Sequence, residues 1–227
     1  MASSSKANCT YITDGSNPIL LDVGLSLKQV RRALDFQTSD LIAALVTHSH
    51  SDHCRGVPDL LRAGIDCYMT EQTVNALGVS GHRVNIINPL KQFVAGPWTI
   101  LPFPTVHDVD GSVGFLVVHQ SKERLLYLTD TMYCKYKFNS LNFILIEANF
   151  ADDIIRANVE AGIVPVELKS RIIQSHFSLA NVKEFLRAND LSRVEALYLL
   201  HLSNDNSDAA RFKREIQDLT GKPVYIA

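Results

Sequence analysis

The stretch Thr47-His48-Ser49-His50-Ser51-Asp52-His53 follows directly on the apolar run Leu41-Ile42-Ala43-Ala44-Leu45-Val46, and this junction constrains the chain more than any other. The apolar run reads as a buried strand. A strand ending in such a cluster carries imidazoles and a carboxylate at its tip, where a rigid scaffold fixes their directions. Imidazole nitrogen and carboxylate oxygen suit zinc and neighbouring transition metals. A solvated polar loop is the bland alternative. Histidine is scarce, with eight in 227 residues, so chance clustering explains the pattern poorly.

Other strand ends repeat the arrangement. His107 follows Trp98–Phe103, Asp130 follows Leu125–Leu128, and His201 follows Ala196–Leu200. A lone histidine at such a place reads best as a satisfied core residue. Several strand ends with one metal-grade donor each read as a sheet edge that collects ligands. Further strands are expected at Ile19–Val23, Cys67–Thr70, Val84–Ile87, Gln92–Val94, Val113–Val118, Phe143–Glu147 and Val224–Ile226. Helices are expected at Leu27–Leu34, Glu71–Leu77, Asp153–Ala161, Leu179–Ala188 and Asp208–Leu219. Ser178 caps the fourth of these and Gly221 stops the last. With no low-complexity linker, residues 1–227 are expected to form a single domain of two packed sheets with helices outside.

Composition excludes some classes. Hydrophobic residues make up 46% and charged residues 20%, enough apolar matter for a packed core. The 22 basic and 24 acidic residues leave a net charge of −2, which argues against indiscriminate electrostatic binding of nucleic acid but not against a local basic groove. No apolar run reaches transmembrane length, and Met1–Asn8 has no signal-peptide core, so no membrane partner is expected. Cys9, Cys54, Cys67 and Cys134 show no paired spacing, as in a reduced, cytoplasmic protein. Cys54 adjoins His53 but reads as a small buried apolar residue rather than a ligand.

The ordered set His48, His50, Asp52, His53, His107, Asp130 and His201 resembles the metallo-β-lactamase superfamily, whose His-x-His-x-Asp-His motif matches without gaps. Asp22, in Leu20-Leu21-Asp22-Val23-Gly24, matches the early motif aspartate. The resemblance implies an α+β fold, the four-layer αββα metallo-β-lactamase sandwich, with two divalent metal ions at one edge, zinc first and manganese second. It assigns His48, His50 and His107 to one ion, Asp52, His53 and His201 to the other, and Asp130 as the bridge. Such ions sit about 3.5–4 Å apart, and a hydroxide bridging them is available near neutral pH. Asp52 would orient this nucleophile as well as ligate.

Glu147-Ala148-Asn149 and Ser175-His176-Phe177-Ser178 resemble the Glu-Ala and His-Ser motifs of the nuclease and tRNA-processing branches. There a glutamate orients a histidine that faces the scissile phosphate, which adds Glu147 and His176 to the catalytic set. The bland alternative makes Glu147 a cap and His176 a loop residue. A closer resemblance, on Ala2–Asn8, Leu20–Ser26, Thr129-Asp130-Thr131, Glu147-Ala148-Asn149 and Leu200–Asn206, is to the YycJ/WalJ-like metallohydrolases of bacteria and phages. It implies a DNA exonuclease. The chain departs from that pattern in lacking the usual first strand and in carrying Lys6-Ala7 at a turn where glycine is usual.

The function expected is therefore a dinuclear metal-dependent phosphodiesterase, an exonuclease-like nuclease. The runner-up is a small-molecule hydrolase on the same fold: a cyclic-nucleotide phosphodiesterase, thioesterase or lactonase. A binding module that has lost catalysis is disfavoured by the intact ligand set. The partner is a nucleic acid or nucleotide. Oligomeric state stays open, a homodimer included. Lys135-Tyr136-Lys137, Lys169 and Arg171 are candidate phosphate contacts, with ordinary solvated charge as the even alternative.

Overall fold

Short runs in which every residue is apolar become strands covered on both faces. β3 (Ile19–Leu21) and β4 (Ala43–Leu45) are of this kind, each fully buried. The computed structural model describes residues 2–4 and 6–227; Met1 and Ser5, part of the Ser-rich turn, lie outside the described residues. The chain divides into two units, one running to Pro104 and resuming over Val109–Gln120, the other made of Thr105–Asp108 and Ser121–Ala227.

In the first unit, β1 (Ala2–Ser4), β2 (Ala7–Ile12), β3, β4, β5 (Cys67–Thr70) and β6 (Val84–Ile87) lie side by side in sequence order. The first three pair antiparallel and the rest parallel, with Ile19 opposite Ala43 and Met69 opposite Ile86. The helices are α1 (Leu27–Ala33), α2 (Ser51–Cys54), α3 (Val57–Arg62) and α4 (Glu71–Leu77). Val30, Leu41, Val57, Leu60 and Met69 fill the core between sheet and helices. β7 (Phe93–Ala95), β8 (Trp98–Pro104) and β9 (Val113–His119) complete the unit as an antiparallel run. β1 is only three residues long. Asn8 clips it, its side chain accepting from the Ser4 amide at 3.1 Å and donating to the Ser4 carbonyl at 3.0 Å.

In the second unit, β10 (Arg124–Leu128), β11 (Phe143–Glu147), β12 (Ala196–Leu200) and β13 (Val224–Ile226) are all parallel. Parallel pairing needs long crossovers. These hold α5 (Asp152–Glu160), α6 (Val166–Ser175), α7 (Leu179–Arg187) and α8 (Ala209–Thr220). Leu179, Val182, Phe185 and Leu186 give α7 one buried face, and Phe212 and Ile216 do the same for α8. Ser178 caps α7 by accepting from the Asn181 amide, and Gly221 ends α8 at φ 65°, as expected. No helix among the described residues is long and apolar enough to cross a membrane.

Candidate metal centre

Within the first unit, β4 delivers Thr47 and His48 to the start of a loop, and α2 then turns Asp52 and His53 back beside them. His50 is the N-cap of that one-turn helix. The ring centroids of His48 and His50 lie 4.8 Å apart, and those of His48 and His53 4.2 Å. Asp22 sits beneath the cluster, wholly buried just past β3. Its Oδ1 accepts from the Thr47 amide and hydroxyl, both at 2.8 Å, and its Oδ2 from His53 Nδ1 at 2.7 Å. A carboxylate on Nδ1 fixes the tautomer and directs the lone pair to Nε2, the usual support of a metal-binding imidazole. Thr47 gives its one hydroxyl proton to Asp22, so its oxygen accepts from His48 Nδ1, 2.9 Å away. Both rings are thus held with their protons on Nδ1. Asn8 Nδ2 reaches Asp52 Oδ2 at 3.1 Å and His53 Nε2 at 2.9 Å. Asp22→Ala is expected to lower metal affinity about 10–100-fold, read by competition with a chromogenic chelator.

Gly24 lets this loop close. A Cβ there would stand 1.7 Å from the Asp52 carbonyl oxygen and 2.7 Å from the Asn8 amide nitrogen. Both are backbone atoms, so neither can swing away. Gly24→Ala is expected to cost about 1–3 kcal/mol, the usual range for overpacking. Chemical denaturation checks this, and metal content should fall in the same variant because Asp52 must shift.

In the second unit, parallel pairing of β10, β11 and β12 brings their carboxyl ends to one edge. Asp130, Glu147 and His201 all stand there, each buried. Asp130 and His201 take left-handed backbone, φ 46° and 51°, as does Asp22 at φ 59°. His176 arrives from the C-terminus of α6. One donor atom from each of Asp130, Glu147, His176 and His201 lies within 4.8 Å of the others. His201 Nδ1 is 3.0 Å from Glu147 Oε1 and 3.1 Å from Asp130 Oδ1. His107 Nδ1 donates to the Ser175 carbonyl at 2.9 Å, and its Nε2 lies 3.3 Å from Asp108 Oδ1 and 3.9 Å from Asp130 Oδ2.

His176 Nδ1 donates to Glu147 Oε1 at 2.6 Å and lies 3.6 Å from Asp130 Oδ1. Burial opposes a charge on His176, but the carboxylates of Glu147 and then Asp130 outweigh it and push the imidazole up to about 10. Burial likewise works against the Glu147 carboxylate, and His176 with His201 holds it below its ordinary range. Each member of the pair favours the charged form of the other.

Sequence reasoning passed over three residues that hold these groups: Asn8, Thr47 and Asn149. Asn149 Nδ2 donates to the His201 carbonyl at 2.9 Å. Thr47 adjoins the first motif, and Asn8 and Asn149 fall inside stretches that carry the resemblance, which was a usable signal. Of the suggested phosphate contacts, Arg171 is engaged with Asp108 at 2.9 Å. Cys54 is buried, and its thiol donates to the Ser49 and His50 carbonyls, both 3.1 Å away. Burial pushes that thiol up to about 11, the opposite of a metal-binding thiolate.

Histidines and carboxylates at strand ends, with neighbours that fix their tautomers, define a divalent-metal centre of the metallo-β-lactamase type. The chain belongs to the beta-lactamase superfamily, whose domain matches residues 17–202. It is 31% identical over 224 residues to the exodeoxyribonuclease WalJ of Streptococcus pneumoniae, covering 91% of this chain and 81% of that one. It is 28% identical over 225 residues to the exodeoxyribonuclease YycJ of Bacillus anthracis, with 91% and 82% covered. The metallo-β-lactamase fold protein YhfI from Bacillus subtilis superposes with a TM-score of 0.70 over 97% of this chain and 89% of that one, at 15% identity. The expected fold and the kinship with the WalJ and YycJ group are borne out.

Proposed function

We propose that this chain is a divalent-metal-dependent phosphodiesterase that shortens DNA from an end. The observation that carries the reading is the buried Glu147 carboxylate holding His176 at 2.6 Å beside Asp130. The pair favours phosphoryl over thioester chemistry and serves a polymeric or a cyclic nucleotide alike. Phosphodiester cleavage must neutralise a leaving alkoxide, and a positioned imidazolium does that. The relatives named for exodeoxyribonuclease activity support the same reading.

His48, His50 and His107 would hold one ion, Asp52, His53 and His201 the other, with Asp130 shared. The donor set fits: the imidazoles of His48, His53 and His107 have Nδ1 engaged by Thr47, Asp22 and Ser175. An imidazole-rich set favours zinc over manganese. When bound, such ions lower the pKa of water from about 15.7 toward 7 and draw charge from a phosphoryl oxygen. Asp52 orients the attacking water. His176 donates its proton to the leaving oxygen, and Glu147 keeps the ring directed at it. The scattered spacing of the four cysteines supports a cytoplasmic setting.

Elemental analysis paired with hydrolysis assays on linear DNA, RNA, a cyclic nucleotide and a thioester tests this. Two divalent ions per chain and progressive shortening of linear DNA are expected. Robust thioester hydrolysis with no phosphodiester cleavage would overturn the reading.

A further inference from the structure

Thr105–Asp108 belongs to the second unit, although β8 and β9 on either side of it belong to the first. The segment carries His107 and forms neither helix nor strand. Its place in the second unit therefore depends on the hydrogen bonds it makes there. The Val106 amide donates to Thr131 Oγ1 at 2.9 Å, and the Val106 carbonyl accepts from the Met132 amide at 2.8 Å. His107 Nδ1 donates to the Ser175 carbonyl at 2.9 Å, and Asp108 Oδ2 accepts from Arg171 Nε at 2.9 Å.

These contacts are unequal. Arg171 is 65% exposed and Asp108 30%, and an ion pair so placed is worth little and is screened by salt. The bond to Ser175 orients the His107 ring but acts at the end of a side chain, so it leaves the backbone free to shift. The bond to Thr131 grips the backbone one residue before His107, and Thr131 is wholly buried. Its hydroxyl has one proton, which goes to the Tyr133 carbonyl at 2.8 Å and leaves the oxygen to accept from Val106. A threonine that only closed its own turn would need Tyr133 alone. This one also reaches a residue 25 positions away in sequence. The Thr131 amide donates to Glu147 Oε2 at 3.2 Å, and Oε1 of the same carboxylate holds His176. Through its hydroxyl and its amide, Thr131 thus fastens both the segment that carries His107 and the carboxylate that directs His176. The centres of those two rings lie 5.5 Å apart.

We infer that Thr131 is a positioning residue, whose hydroxyl holds the backbone at Val106 so that His107 stands ready for a metal ion. The inference rests on the metal-dependent phosphodiesterase reading and adds to it a residue that acts through a ligand.

The test uses the full chain, metal-free and titrated with zinc. Thr131→Val keeps the side-chain shape and the amide to Glu147 but removes the hydroxyl. It should weaken zinc binding about 10–100-fold, the usual cost of losing a partner behind a ligand, read by competition with a chromogenic chelator. The zinc concentration that gives half-maximal cleavage of bis(p-nitrophenyl) phosphate should rise by the same factor. Thr131→Ser keeps the hydroxyl and should restore wild-type zinc affinity. A threonine that serves stability alone would lower the melting temperature of the metal-free chain in Thr131→Val and leave zinc affinity where it was. Unchanged zinc affinity in Thr131→Val, or an equal loss in Thr131→Ser, would overturn the inference. Amide hydrogen exchange on the wild type needs no variant: the Val106 amide should be protected in the metal-free chain, and exchange at the rate of an open amide would overturn the inference even if Thr131→Val does not fold. If wild type binds zinc but cleaves no phosphodiester, the phosphodiesterase reading fails alone, and the zinc titrations still decide the role of Thr131. A wild-type chain that binds no zinc overturns both.

Discussion

His176→Ala is expected to slow cleavage of linear DNA about 10²–10⁴-fold, the usual worth of a positioned proton donor. Metal content should stay at the wild-type level, because the ring is held by Glu147. The effect should depend on the leaving group. On bis(p-nitrophenyl) phosphate the departing phenolate needs little protonation, so the loss should be much smaller there. Equal losses on the two substrates would remove His176 from the role of acid. Read from sequence, Glu147 is the partner of His176 alone. The structure gives it four partners: His176, His201, and the amides of Thr131 and Phe177. Glu147→Ala is therefore expected to cost more than His176→Ala, and to loosen His201 besides. Metal analysis of that variant separates the two effects: only Glu147→Ala should lower occupancy.

Asp130→Ala is expected to have the largest effect of all. The carboxylate lies within 4 Å of His107, His176 and His201. As the shared ligand, its removal should drop metal content from two ions per chain to one or fewer. Turnover should fall by about 10³-fold or more, since the ion that polarises the phosphoryl oxygen supplies several kcal/mol. Asp130→Asn is the control, because it keeps one oxygen and tolerates the same backbone. Full two-metal occupancy in Asp130→Ala would show that Asp130 does not bridge.

Much of the second unit was legible because its strands are apolar throughout and end in polar turns. Phe143–Glu147, Ala196–Leu200 and Val224–Ile226 match residue for residue. The losses have physical causes. β2, Ala7–Ile12, carries small and polar residues, and its buried Asn8 serves β1 and the ligands rather than the core. α2 is one turn of polar residues with no apolar period to read. α3 is six residues long, between Gly56 and Gly64. α6 leaves Val166, Leu168 and Ile173 exposed, so its apolar residues mark no buried face. The proposed ligands could be named from sequence because their residue types and order are visible without any knowledge of contacts. What supports them was not: Asn8 meets His53 across 45 residues of sequence.

The left-handed backbone at Asp22, Asp130 and His201 limits which ligand exchanges this chain can explore. In the proposed centre each of these residues would serve the metals while sitting at positive φ. Aspartate, asparagine and histidine are the non-glycine types that tolerate this conformation best. Glutamate could reach an ion with its longer arm but lacks that tolerance, and β-branched residues are worse still. A drift in metal preference by swapping donors is therefore narrow at the strand ends and wider at His50 and Asp52, which lie outside the left-handed region. Selection for a new metal, imposed on a library of this chain, should find its substitutions in the His50–Asp52 turn long before it finds them at Asp130 or His201.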